Sequence, residues 1–509
     1  MQNSVAPATP PLPHYLRIAE TLRQTLASGA LRPGDRLISA RKLAQREQVS
    51  LPTALEALRC LEAQGLIVAR PRSGYFVPQA GSGGLRSPPR MHSRASSRPL
   101  AVTMTSLARS LFSSADTRLI PLGAALPDPA WLPAATMQRA LQTAGRRLQG
   151  HGQTYSMPPG RAELRAQIAA RAARWGGRFG QDDVIVTAGA TQALRLALSA
   201  VCKTGDVVAV ERPAYFGTLL LLENLGLKAL EIATDPRHGL LPDALATALA
   251  RHRPQAVLAS PTVQNPLGAC MPVERKRELV AMLEQAGIPL IEDDVYGDLA
   301  GDSIRPPACK AFDSSGNVLY CSSVSKTLAP GWRIGWIAPG RYHEQVLKVR
   351  LAGDWAGMPL MEAALSEVLG SGDYDRHLRR LKPRMHAAVQ AITARVEASF
   401  PAGTRVSVPS QGFLLWVELP SQINAIEVYR QALALGIGVS PGQLFTPQAD
   451  LPNFLRLNCA NEVTPRLLGA VGMIGEICCG LTGGWAGAKS RPKLPDVSPE
   501  GLQRSGASG

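Results

Sequence analysis

From Leu119 onward, short apolar runs alternate with helical stretches, and this alternation limits the possible folds more than any other feature of the chain. The runs "DVIVTAG", "DVVAVE", "AVLAS", "IPLIED" and "NVLYCSS" have the length of strands. Between them lie stretches such as "TQALRLALSAVC" and "VERKRELVAMLEQAG", with apolar residues at helical spacing. The pattern predicts β-α units around a mainly parallel sheet, its strands buried and its helices serving as crossovers. From about Trp355 it changes to long helices followed by "GFLLWVEL", "GIGVS" and "FLRLNCA", which predicts a smaller α+β lobe. Ligands of α/β sheets bind beyond the carboxyl ends of the strands, so residues just after each apolar run carry the chemistry.

The first hundred residues follow a different pattern. Leu16, Ala19, Leu22 and Leu26 recur at helical spacing until "SGALRPGDRL" breaks the helix with Gly29, Pro33 and Gly34. "SARKLAQREQ" reads as a short second helix. "SLPTALEALRCLEAQG" reads as a third, with Ser50 as N-cap, Pro52 in the first turn, Leu55, Leu58 and Leu61 on one face and Gly65 closing it. "LIVARPRSGYFV" then supplies two short strands around a basic turn. Three helices and a basic hairpin, in that order, make a winged helix-turn-helix. We place this head at residues 12–78, a flexible basic linker at 79–118, the α/β domain at 119–480 and a disordered tail at 481–509.

The 509 residues, 45% of them hydrophobic, suffice for several domains with sizeable cores. The net charge of +16 is concentrated near the start: in residues 1–100, thirteen Arg and one Lys stand against five acids, leaving +9. A partner rich in phosphate fits this excess, and so does a solvated basic face; composition does not separate the two. Arg86, Arg90, Arg94 and Arg98 in the linker either trail along phosphates or keep the tether solvated. No run of about 18 apolar residues suits a membrane, and the opening "MQNSVAPATPPLPHY" has neither a charged nor an apolar signal region. A cytoplasmic location is therefore expected. The eight cysteines form no CxxC pair and no Cys/His cluster at zinc spacing, so no metal site is expected.

Several residues at strand ends have two readings when taken singly. Ala190 and Thr191 in "AGATQAL" either present free N–H groups to a phosphate or simply turn the chain. With no GxGxxG, a dinucleotide site is not expected. Tyr215 in "ERPAYFG" stacks on a planar cofactor or packs, and Asn265 in "SPTVQNPLG" is a turn residue first and a polar ligand second. "LIEDDVYGDL" places Asp293 and Tyr296 at the end of a buried run, where a carboxylate is costly without a charged partner. They serve a protonated ring nitrogen and a phenolate oxygen, or else a salt bridge or helix cap. "YCSSVSKTLAPGWRIGW" holds Lys326 among small residues, with Ser323, Ser325 and Arg333 available to grip a phosphate. A desolvated lysine forms Schiff bases, whereas one in an ordinary loop is a solvated charge.

Taken in order, these segments resemble the fold type I pyridoxal-phosphate aminotransferases over roughly 119–480. The resemblance implies that Lys326 carries pyridoxal 5'-phosphate as an internal aldimine, with Asp293 pairing with the pyridine nitrogen. Tyr296 and Asn265 would contact the ring hydroxyl and Tyr215 the ring face, while Ala190, Thr191, Ser323, Ser325 and Arg333 would hold the phosphate. It also implies a homodimer in which Tyr155 of "TYSMPPG" reaches into the partner's site, and Arg456 of "FLRLNCA" as the clamp for a substrate carboxylate. The head resembles the GntR class, whose DNA contacts fall here on Arg41, Ser50, Thr53, Arg72 and Gly74. The combination resembles the MocR subfamily of transcriptional regulators. That layout implies a regulator sensing an amine or amino acid by aldimine exchange at Lys326 and passing the change to the head. Because the catalytic set is complete, an active aminotransferase with a DNA-binding appendage is the alternative, as is a sensor of pyridoxal phosphate itself. The chain departs from these patterns at Leu51 and Pro52, where arginine is common after the cap, at Leu267 in place of threonine, and at Ala124 and Ala125 in place of two glycines.

Overall fold

The computed structural model describes residues 14–27, 31, 35–63, 67–70, 74–77, 88–89, 98–104, 108, 119–301, 305–354, 356–409 and 411–482. Arg72, most of the linker and the tail beyond 482 lie outside them.

The head contains the helices His14–Ala27, Ala40–Arg46 and Leu51–Ala63, then an antiparallel hairpin of Val68–Arg70 and Gly74–Phe76. The chain just before the second helix completes this wing: Leu37 N–H donates to Tyr75 O at 2.8 Å and Val77 N–H to Asp35 O at 2.8 Å. Ile18, Leu22, Leu43, Leu58, Leu61 and Ile67 form its core. On the third helix, Ala54 and Ala57 are buried along with Leu58 and Leu61, while Leu55 is half-buried. Small residues at those positions let the neighbouring helices approach closely.

In the large domain, the principal sheet runs Leu100–Ala101, Lys228–Asp235, Val207–Arg212, Ala256–Ala259, Leu290–Asp293, Val318–Ser323, Gly335–Ala338 and Ile185–Thr187. The strands from Lys228–Asp235 to Val318–Ser323 are parallel to one another, Leu100–Ala101 is antiparallel to Lys228–Asp235, and Gly335–Ala338 is antiparallel to both of its neighbours. Burial on both faces explains the unbroken apolar runs: every residue of Ala256–Ala259, Leu290–Asp293 and Val318–Ser323 is buried.

Reading 79–118 as one flexible tether needs correction at its end. Leu100–Ala101 pairs with Ala229 and Lys228, Val102 and Met104 are buried, and Met104 N–H donates to Glu223 Oε2 at 2.9 Å. Leu100, Val102 and Met104 alternate with smaller or polar residues, a strand pattern that covers the otherwise open sheet edge.

The smaller lobe carries an antiparallel sheet of Arg405–Ser407, Leu414–Glu418, Phe454–Asn458 and Ser440–Pro441, packed with the helices Asp373–Ser399 and Pro465–Thr482. "GIGVS" divides between two sheets. Ser440–Pro441 joins the strand of Arg456, whereas Ile437–Gly438 pairs with Ile120–Pro121 and draws the start of the domain against this lobe. Among the described residues, no helix is long and apolar enough to cross a membrane.

Candidate functional site

Strand register brings the strand-end residues together. Asp293 lies opposite Cys321 on the neighbouring parallel strand, and that strand ends at Ser323, which pairs with Gly335; Gly335 in turn pairs with Thr187. Beyond these ends lie Lys326, Arg333 and the turn into the helix Ala190–Val201.

The turn is shaped as an anion cradle. Gly189 has φ +85° and no side chain caps the helix, whose first N–H groups carry the partial positive charge of its dipole. A Cβ at Gly189 would lie 2.5 Å from Arg333 Nη2, and one at Gly335 would lie 2.5 Å from the Gly189 carbonyl carbon. Glycine at both positions therefore permits the close approach. Arg333, itself at φ +53°, donates through Nη2 to Ala188 O at 3.1 Å and remains exposed. Ser323 and Ser325 are buried, and Ser325 N–H donates to Ser323 Oγ at 3.3 Å. Thr191 is exposed and Ala190 half-buried at the start of the helix.

Asp293 has a buried Oδ1 with no hydrogen-bond partner among the described residues. Burial pushes its carboxyl up to about 7; the Val295 N–H opposes this, Asp294 adds to it and Lys326 opposes it. An unmatched buried carboxylate oxygen suits a cationic N–H from a ligand. Lys326 is half-buried, and its Nζ donates to Ala125 O at 2.8 Å. Burial and the nearby Arg456 guanidinium pull its pKa down to about 8, with Asp293 opposing. Asn265 joins two functional groups: its Nδ2 donates to Tyr296 Oη at 3.2 Å, and its Oδ1 accepts from Arg456 Nη1 at 3.1 Å. Burial raises the pKa of both the Tyr296 and the Tyr215 phenols. Tyr215 precedes the helix Phe216–Asn224 and stands 4.7 Å from the Phe216 ring, centroid to centroid.

Arg456 is 1% exposed. Nη2 donates to Gly123 O and, at 3.2 Å, to Ser440 Oγ, while Nε has no partner among the described residues. Its guanidinium carbon lies 5.0 Å from the Phe445 ring centroid and 5.9 Å from that of Phe216. Among the described residues, no carboxylate pairs with it. A buried charge without a counter-ion costs several kcal/mol, which a bound carboxylate offsets. Ala125 was marked in the sequence as a departure from glycine near the carboxylate site, whereas Gly123 and Ser440 were not legible because they act through positions far away in the chain.

Tyr155 stands outside this pocket, 71% exposed, beside Met157 at 52%. Its loop is firmly held. The buried Glu362 accepts from Ser156 Oγ at 2.9 Å, Arg161 N at 2.9 Å and Met358 N at 3.1 Å.

In the head, Ser50 Oγ accepts from Thr53 N at 3.3 Å and lies 2.8 Å from Thr53 Oγ1, so the two residues cap the third helix while Ser50 stays exposed. Arg41 is exposed on the second helix, and Gly74 turns the wing at φ +101°. A Cβ at Gly74 would meet Arg36 Nε at 3.5 Å, which adds Arg36 to the wing's basic surface. Its place beside Gly74 depends on the bridge between Arg36 and Phe76, which the hairpin pattern did not reveal.

Residues 119–471 match aminotransferase class I and II, and residues 14–77 match the gntR family of bacterial regulatory proteins. The HTH-type transcriptional regulators YjiR and YdcR of Escherichia coli, both uncharacterized, are 35% and 37% identical; each comparison covers 91% of this chain and 98% of the relative. The chain belongs to the MocR subfamily of GntR-type transcriptional regulators. The large domain of this MocR-type chain also matches the α-aminoadipate aminotransferase LysN of Thermus thermophilus, solved with N-(5'-phosphopyridoxyl)-L-leucine. The TM-score is 0.68 at 26% identity, over 74% of this chain and 95% of that one. Such a fold implies pyridoxal phosphate. Three features of the MocR-type chain fit it: the unmatched Asp293 Oδ1, the glycine cradle beside Arg333 and a partly desolvated lysine.

Proposed function

We propose that this chain is a cytoplasmic, homodimeric, DNA-binding transcriptional regulator whose aminotransferase-like domain holds pyridoxal 5'-phosphate and senses an amine or amino acid. The observation that carries the sensing role is Arg456, a buried guanidinium with no acid beside it among the described residues, in a domain joined to a winged helix. When bound, the cofactor supplies an aldehyde carbon that combines with amines and a ring that withdraws electrons. Lys326 Nζ, neutral above about pH 8, is the resident amine. Asp293 Oδ1 would meet the ring nitrogen and keep it protonated, Tyr296 and Asn265 would hold the ring oxygen, and Tyr215 would cover the ring. Ala190, Thr191, Ser323, Ser325 and Arg333 bind the phosphate. Arg456 would hold and orient an effector carboxylate beside Lys326 Nζ, which could accept or hold a proton there.

Tyr155, exposed on a loop braced by Glu362, would complete the partner's site. In the head, Arg36, Arg41, Ser50, Thr53, Arg72 and Gly74 would meet DNA, with the first residues of the third helix at the major groove. The test is spectroscopic. The purified protein with pyridoxal phosphate should show an absorbance band that Lys326→Ala abolishes, and an amine that shifts the band should also change DNA affinity. A shift with no change in DNA affinity under any amine would sink the sensing role.

The complete set of Lys326, Asp293, Tyr296, Asn265 and Arg456 supports a second reading, an aminotransferase that turns over. Release of an oxo acid over many cycles separates turnover from sensing by a single exchange.

A further inference from the structure

Behind the cofactor site lies a buried polar network that the roles above do not use. It begins at Asp294, next to the acid assigned to the ring nitrogen. Asp294 accepts from Tyr320 Oη at 2.7 Å and is ion-paired with Arg305 Nη2. Through Nη1 the same arginine pairs with Asp298 Oδ1 at 2.8 Å, and its guanidinium lies 4.7 Å from the Trp175 ring centroid. Asp298 Oδ2 accepts from Arg171 at 3.2 Å and from Tyr374 Oη at 3.0 Å. Tyr374 Oη in turn lies 2.7 Å from Thr327 Oγ1, and His377 Nε2 holds Thr327 O at 2.6 Å. The network thus runs from the neighbour of Asp293 to the neighbour of Lys326.

We propose that Arg305 is a positioning residue for cofactor chemistry: by compensating Asp294 and anchoring Asp298, it leaves Asp293 as the anionic group facing the cofactor nitrogen. This rests on the cofactor reading above. Two adjacent buried carboxylates repel, and Asp294 pushes the Asp293 pKa up; a cation paired with Asp294 offsets that charge and weakens the push. Arg305 supplies that cation to Asp294, while the positive charge of Lys326 acts on Asp293 and lowers its pKa. Glu211, Tyr215, Tyr296 and Cys321 also face Asp293, but none of them is a cation. The Tyr374–Thr327 bond links the same arginine to the lysine loop. Arg305 therefore affects the charge at Asp293 and the geometry at Lys326 without touching the cofactor.

The experiment is a pH titration of the absorbance band of full-length protein loaded with pyridoxal phosphate. Arg305→Gln should move the midpoint up by about one pH unit, because Asp294 loses its cation. Arg305→Lys should restore most of the original value. Asp294→Asn should move the midpoint down, because the repulsion is gone. A purely structural role would perturb both substitutions alike. Equal midpoints in folded, loaded variants, or shifts of the same sign, would overturn the proposal. If Arg305→Gln does not fold, Asp294→Asn decides: an unmoved midpoint rejects the proposal and a downward shift supports it. A wild-type protein without any band removes the cofactor reading, and the Arg305–Asp294 coupling is then read from melting temperature against pH. There the two substitutions should again shift the profile in opposite directions, and a common direction rejects it.

Discussion

Arg41 and Arg456 are both assigned to hold an anion, yet the first is exposed on a seven-residue helix of the head and the second is 1% exposed between the lobes of the large domain. The same contrast extends to their neighbours. Ser50 and Thr53 bond to each other at a helix start, whereas Asp293 Oδ1 and Arg456 Nε are buried without partners among the described residues. Exposed charges act through a solvent that screens them over about 8 Å at physiological salt, so DNA affinity accumulates over many modest contacts. Buried charges interact more strongly, and one left unmatched specifies the group that must meet it. The head is thus built for summed, salt-sensitive attachment and the large domain for selective binding at a few atoms.

Substitutions can break or sharpen this contrast. The largest effect is expected for Lys326→Ala, with complete loss of the cofactor band in absorbance while DNA binding by the head persists. Next comes Arg456→Ala. Losing one member of a buried charge pair costs roughly 2–5 kcal/mol, so titration of the band with amino acids should show affinity weakened by at least about 30-fold. Amines without a carboxylate should bind as before; equal losses for both classes would remove the clamp assignment. In the head, Arg41→Ala should weaken DNA binding about equally across sequences and lower the slope of log affinity against log salt by about one. A slope that does not move, measured by fluorescence anisotropy, would take Arg41 out of the interface.

The pH dependence follows from the depressed Lys326 pKa. Its nucleophilic neutral form accumulates as pH rises through about 8 rather than 10.5, so attachment of pyridoxal phosphate should accelerate as pH rises through that value and level off above it. Stopped-flow absorbance checks this, and a rate still climbing steeply near the ordinary lysine value of 10.5 would show a solvated side chain. The smallest effect is expected for Ser50→Ala, which removes one cap hydrogen bond and should cost the head about 1 kcal/mol in thermal unfolding.

Much of the fold was legible because burial leaves a periodic trace. The apolar runs ending at Thr187, Arg212, Ala259, Asp293 and Ser323 all became strands of one sheet. The antiparallel strand Gly335–Ala338 was hidden within "WRIGWIAPG", where glycine and proline read as loop. Edge strand Leu100–Ala101 was hidden in a basic, Pro-rich context that matches a tether over most of its length.

The sequence by itself determined the kinds of chemistry available: a lysine among small residues, an acid and a phenol three apart at a strand end, an arginine in a late strand and a basic winged head. Local spacing suffices for these because each depends on one element and its ending. Only the tertiary structure decided that Arg456 is held by Asn265, Gly123 and Ser440, that Lys326 meets Ala125, and that Arg305 links Asp294 to Asp298. Those contacts join residues from different strands and loops. They depend on how the sheets and lobes pack, and packing at a distance leaves no period in the chain.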